Sequence, residues 1–131
     1  MKVVIDENLS PVLARALNAL FAGEHEVVHI RDRFGPSVRD VDWIRQLSEG
    51  GHWIVISGDS RIAKRRSELA IFRSSRLIGF FLAPALNSAK VTKQMQRLLA
   101  LWDDIEILAN RVASGSMYEL PIKGKIRQLR T

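Results

Sequence analysis

Two short apolar runs in this chain stop abruptly at acids. Val3, Val4 and Ile5 lead into Asp6, Glu7 and Asn8, and residues 53–56 lead into Ser57, Gly58 and Asp59. If each run is a buried parallel strand, its acid lies just past the strand's carboxyl end, where side chains from different strands converge on one crevice. Carboxylates gathered there repel one another unless a shared proton or a divalent cation offsets the charge. Asp40 and Asp42, in the opening turn of a helix, can border the same crevice. The indicated chemistry is that of a hard cation such as Mg²⁺ or Mn²⁺, which takes oxygen ligands, keeps several waters and works with a few carboxylates plus substrate phosphate oxygens. In a two-metal arrangement, ions roughly 3.5–4 Å apart activate water and steady the leaving oxygen of a phosphodiester displacement.

Each position also has a structural reading. Asp40 and Asp42 can cap or complement the start of their helix, together worth on the order of 1–2 kcal/mol. Asp59, within Ser-Gly-Asp-Ser, suits a turn. Asp6, Glu7 and Asn8 have no such duty, because Ser10 already caps the helix that Pro11 opens. The Ser57 hydroxyl can hold a metal-bound water or a scissile phosphate, or bond the turn backbone. His25, His29 and His52 are too scattered for a metal motif.

The totals narrow the classes further. Lys and Arg outnumber Asp and Glu by 20 to 14 in 131 residues, a formal charge of +6. With acids committed to the strand ends, the positive excess lies elsewhere and favours a polyanionic partner such as nucleic acid or an acidic protein. Arg61, Lys64, Arg65 and Arg66 follow Asp59, and Arg31, Arg33 and Arg39 lie in a loop on the same side. Such groups would position a phosphate backbone beside the acids, Arg61 foremost because it follows Asp59 so closely. No cysteine is present, which excludes disulfides, thiolate metal sites and a Cys nucleophile. No leader-like apolar segment opens the chain, and the longest apolar stretch, residues 77–86, contains Pro84 and is too short to span a bilayer. A soluble cytoplasmic protein of one domain, residues 1–131, with no membrane partner, is expected.

The elements that must position these residues alternate along the chain. Strands are predicted at residues 3–5, 26–30, 53–56 and 77–82. Helices are predicted from Pro11, from Asp40, over residues 61–69, and from a cap at Asn87 or Ser88 through Val91, Met95, Leu98, Leu99 and Trp102. Residues 31–39 (RDRFGPSVR) read as a loop, and residues 116–121 and 125–129 as a hairpin turning at Lys123 and Gly124. Strands alternating with helices give an α/β domain with a mainly parallel central sheet and right-handed crossovers. Phe34, Phe72 and the terminal hairpin are candidates for an exposed dimer or partner surface.

The segments VVIDENLSPVLARAL, DVDWI and WIVISGDSRIAKRRSEL, in this order, resemble the PIN-like nucleases, and within them the small single-domain toxins of type II toxin–antitoxin pairs. The resemblance covers residues 1–86 well and the remainder loosely. It implies a Rossmann-like PIN-type α/β/α sandwich, a Mg²⁺- or Mn²⁺-dependent endoribonuclease site, an RNA substrate and a cognate antitoxin. The acids it implies are Asp6, Asp40, Asp42 and Asp59, with Asp6, Asp42 and Asp59 as metal ligands and Glu7, Ser57, Arg61, Lys64 and Arg65 toward the substrate. A fourth acid has no clear counterpart after Asp59, since Glu68 falls a helical turn or two further on; one metal or two is left open. Two other classes fit parts of the pattern: a receiver-type signalling domain, with Asp6 and Glu7 beside a phosphoacceptor Asp59, and a binding module that has lost its chemistry.

Overall fold

A strand with both faces covered needs apolar residues throughout, and this chain supplies short, nearly continuous apolar runs of that kind. In this computed structural model, which describes residues 1–59 and 61–129, they form one six-stranded sheet in the order β2-β1-β3-β4-β5-β6. The strands are β1 (Lys2–Ile5), β2 (Glu26–His29), β3 (Ile54–Ser57), β4 (Ile78–Leu82), β5 (Met117–Leu120) and β6 (Arg127–Gln128). The first five are parallel to their neighbours, and β6 closes the edge antiparallel to β5 as a hairpin. The helices are α1 (Pro11–Leu20), α2 (Ile30–Phe34), α3 (Asp40–Glu49), α4 (Arg61–Lys64), α5 (Arg66–Arg73), α6 (Pro84–Asn87) and α7 (Val91–Arg111).

Side chains alternate across each strand, so the sheet builds two cores. Val3, Ile5, Ile56 and Phe80 pack with Leu17 of α1 and Trp102 of α7 on one side. Val4, Val55, Phe81 and Met117 pack with Trp43 and Leu47 of α3 and Phe72 of α5 on the other. The result is an α/β/α sandwich. Because β1 lies between β2 and β3, the chain leaves β1 toward one side and returns on the other. The loops at the carboxyl ends of β1 and β3 therefore part at a topological switch point, where such folds open a crevice.

Several local expectations are corrected. Residues 30–34 are helical: the His29 ring accepts the Arg31 amide as a cap, and Gly35, at φ 80°, ends the turn. The basic helix after Asp59 is two helices, broken where Arg65 adopts extended backbone (φ −83°, ψ 127°), and the second runs on to bury Phe72. The long helix starts after Lys90, because Pro84 uses the preceding residues for the short α6 that Asn87 ends. Phe72 is fully buried, edge-on to Phe81, and Phe34 is half-buried, so neither offers an exposed docking face. No helix among the described residues is long and apolar enough to cross a membrane.

Candidate active site

Strand register places the first two site residues. Ile5 pairs with Ile56, which sets Asp6 level with Ser57. The Asp6 amide donates to the Ile56 carbonyl at 2.9 Å. The Ser57 hydroxyl donates to Asp6 Oδ2 at 2.8 Å, and the Glu7 amide donates to Asp6 Oδ1 at 2.7 Å. Ser57 Oγ also accepts the Asp59 amide at 2.9 Å, so one hydroxyl orients both strand-end acids. Ser57 is fully buried with its hydroxyl engaged twice, and the bond from the Asp59 amide is the second of the two roles open to it, that of bonding the turn backbone.

A cleft of about 240 Å³ opens at this point, lined by Asp6, Glu7, Asn8, Asp40 and Asp59. Asp40 comes from the first turn of α3, whose N-cap is Arg39, and Trp43 Nε1 donates to Asp40 Oδ1 at 3.0 Å. Asn8 Oδ1 accepts the Gly58 amide at 3.2 Å, joining the loops after β1 and β3. Sequence reasoning missed the positioning work of Trp43 and Asn8, although Trp43 stands three residues after Asp40, one helical turn along.

The electrostatics match the geometry. Asp6 is only 5 % exposed, and its carboxyl is raised to about 6. Burial is the main cause, Asp40 and Asp59 add to it, and the bonds from Ser57 and Glu7 act against it. Among the described residues, no group of three His, Asp or Glu side chains is arranged to hold a metal ion by itself. A Mg²⁺-type ion does not require one, since it binds through one or two carboxylates and retains waters that substrate oxygens can replace. A lining with four carboxyl groups, one of them buried with its charge disfavoured, fits such a cation.

Other candidates fall elsewhere. Asp42 does not line the cleft: it is held by Arg39, with Nε donating at 2.9 Å and Nη2 at 3.3 Å, because successive residues of a helix turn face different directions. Its carboxyl is held below its ordinary value mainly by that bond. Glu7 reaches the cleft and pairs with Arg31 at 3.4 Å. Arg65 lines a neighbouring cleft of about 450 Å³ with Arg39, Asp40 and Glu68, and Asp40 belongs to both clefts. Glu68 thus borders the second cleft only, paired with Arg65 at 3.7 Å. Lys64 is exposed and lines neither cleft. The Arg61 side chain lies outside the described residues.

The three histidines have structural partners. His29 Nε2 meets the Leu9 carbonyl at 2.8 Å, His25 bridges Met1 and Glu106, and His52 meets the Arg76 carbonyl.

Comparison with known proteins adds one finding: residues 1–84 match the family model described as a PIN-like domain. No curated protein and no solved structure matches the chain.

Proposed function

The chain belongs to the PIN-like domain family, a group of nucleases that typically use divalent metal ions, and from that premise we propose that it is a Mg²⁺- or Mn²⁺-dependent endoribonuclease acting as the toxin of a toxin–antitoxin pair. The observation that carries the reading is the buried Asp6 carboxylate, raised to about 6 and facing Asp40 and Asp59 across one cleft. A bound cation supplies an activated water and neutralises charge on the phosphodiester. Asp6, fixed by Ser57 and the Glu7 amide, would hold that cation. Asp40, tethered by Trp43, and Asp59, oriented through Ser57, line the same cleft and would accept hydrogen bonds from the waters that cation keeps. Arg39 and Arg65 in the adjoining cleft hold the RNA backbone entering past Asp40.

The receiver reading gains one point, since the strand order β2-β1-β3-β4-β5 is also that of flavodoxin-like signalling domains. Family membership weighs against it, and so does β5, whose end is followed by Pro121 rather than a lysine.

Incubating the protein with RNA and with DNA, in Mg²⁺, Mn²⁺ or EDTA, tests the proposal. Cleavage of RNA that needs metal and is abolished by Asp6→Asn supports it. Metal-independent cleavage, or uptake of phosphate at Asp59 from a small phosphodonor, overturns it. Growth arrest on expression, relieved by Asp6→Asn and by a co-expressed neighbouring gene product, tests the toxin assignment.

A further inference from the structure

Positive charge gathers in the last part of the chain, beyond the matched residues 1–84. Residues 121–131 hold four of the 20 bases, Lys123, Lys125, Arg127 and Arg130, and none of the 14 acids. Arg127 pairs with Glu119 across the β5–β6 hairpin, whereas Lys123 and Lys125, flanking Gly124 at the turn, are exposed and have no hydrogen-bond or ion-pair partner among the described residues. The turn itself is held in place. Arg97 of α7 donates from Nε to the Pro121 carbonyl at 2.8 Å and from Nη2 to the Gly124 carbonyl, and Ile122 and Ile126 pack on the core beneath α7. Drawing the two isoleucines inward leaves a tip with charge and no exposed large apolar side chain. Two lysines presented on a pinned turn, without the apolar anchor on which protein interfaces centre, suit a run of phosphates.

Register places this tip at the same edge of the sheet as the acids. Ile5 pairs with Ile56, Ser57 with Phe81 and Phe81 with Glu119, so Asp6, Ser57, Phe81 and Glu119 stand in one row across the ends of four parallel strands. Three strand spacings of about 4.8 Å separate β1 from β5, about 14 Å in all, a distance that a few nucleotides span. Between them lies α6, whose polar end presents Asn87 and Ser88, both exposed. Gln94 donates to the Leu86 and Asn87 carbonyls at 3.3 and 3.1 Å. Gln94 and Arg97 are one turn apart on α7, so a single helix face fixes both α6 and the hairpin. The Arg39–Arg65 cleft belongs to the layer of α3 and α5 and the hairpin to the layer of α7, so the acids stand between the two groups of bases.

We propose that the β5–β6 hairpin is a phosphate-binding arm for single-stranded RNA, with Lys123 and Lys125 holding backbone phosphates a few nucleotides from the scissile bond, on the side away from the Arg39–Arg65 cleft. The proposal rests on the reading of RNA as the substrate. An ammonium is a compact point charge on a flexible stem, and phosphates carry no sequence information, so the arm adds affinity without base preference. It also sets a length requirement: an RNA too short to cross α6 meets the acids and never the arm.

Fluorescence anisotropy of labelled single-stranded RNA in EDTA, with oligonucleotides of about 4 and about 12 nucleotides, tests it. The variant carrying Lys123→Gln and Lys125→Gln is expected to bind the longer RNA more weakly whatever its sequence, and to lower the slope of log affinity against log salt by about 1.4, the share of two phosphate contacts on a single strand. It binds the shorter RNA as the parent does. Arg111→Gln, at the far end of α7, keeps the parent slope, which separates a local contact from a change of net charge. Each variant keeps the far-ultraviolet dichroism of the parent, because the substituted side chains are exposed. An unchanged slope, an equal loss on the two lengths, or an equal loss in Arg111→Gln overturns the proposal. So does unchanged RNA affinity together with lost binding to phosphatidylserine vesicles, which assigns the arm to a lipid surface. Binding is read without metal, so a failure to cleave in Mn²⁺, which sinks the nuclease reading, is a separate result from an unchanged slope, which sinks the arm alone.

Discussion

Asp6 holds opposing demands. The bonds from Ser57 and Glu7 favour its charged form, yet burial and the nearby Asp40 and Asp59 outweigh them and lift its carboxyl to about 6. Between the ordinary value near 4 and that value, the folded protein holds a proton that the unfolded chain has released. The associated stability is full below pH ~4 and is lost as pH rises through about 6, an effect on the order of 3 kcal/mol without metal. Metal-free wild type is therefore expected to lose stability relative to Asp6→Asn over that interval, measured by urea unfolding at each pH. Mn²⁺ should raise the melting temperature of wild type above pH 6 and leave Asp6→Asn unchanged, as expected for a ligand bound only by the folded state. Asp42 offers a contrast. Tied to Arg39 outside the cleft, it should tolerate Asp42→Ala with cleavage reduced by less than about threefold, whereas Trp43→Phe, which frees Asp40, should cost about tenfold at a stability loss of about 1 kcal/mol.

At the level of elements, the site depends on register. A one-residue slip of β3 along β1 would bring the wrong side chain beside Asp6 and turn apolar residues of β3 to the opposite face. The loops beyond the strands are held by side chains: Asn8 bonds the Gly58 amide, and Asn87 lies so near Gly58 that a Cβ there would meet its Oδ1 at 2.0 Å. Far from the site, Gly115 joins the end of α7 to β5 with φ +87°, and a Cβ would meet the Arg73 carbonyl oxygen at 2.2 Å. Gly124, in the hairpin turn, has φ +89° and open space around it. Gly115→Ala should therefore destabilise by about 2–4 kcal/mol and Gly124→Ala by about 1 kcal/mol, read as shifts in denaturation midpoint, because only the first adds a backbone clash to the cost of a left-handed conformation.

For the whole molecule, acids and bases are divided by location. The acid cleft and the Arg39–Arg65 cleft adjoin at Asp40, so a polyanion can lie against the bases while a phosphate reaches the acids. RNA affinity is expected to fall as salt rises, and Arg65→Ala should reduce the slope of log affinity against log salt by about 0.7, the share of one phosphate contact on a single strand. Lys64→Ala, outside both clefts, should leave that slope unchanged.

The sequence by itself determined the alternation of strand and helix, the parallel sheet, the Ser10 cap with Pro11 and the position of Asp6 just past β1. Those features follow from local periodicity and from chemistry within a few residues. It also indicated which acids to watch, but only the tertiary structure divided Asp40 from Asp42. Two residues apart in one turn, they differ in direction, and the neighbours that decide their roles, Arg39 for one and Trp43 with Asp6 for the other, act through distances that spacing does not encode. Of the two roles open to Ser57, the bond to the turn backbone was decided in the same way, since burial depends on what packs above it. The break at Arg65, the helix after His29 and the late start of α7 were equally hidden, because each is set by a backbone conformation or a side-chain cap that competes with local propensity on nearly equal terms.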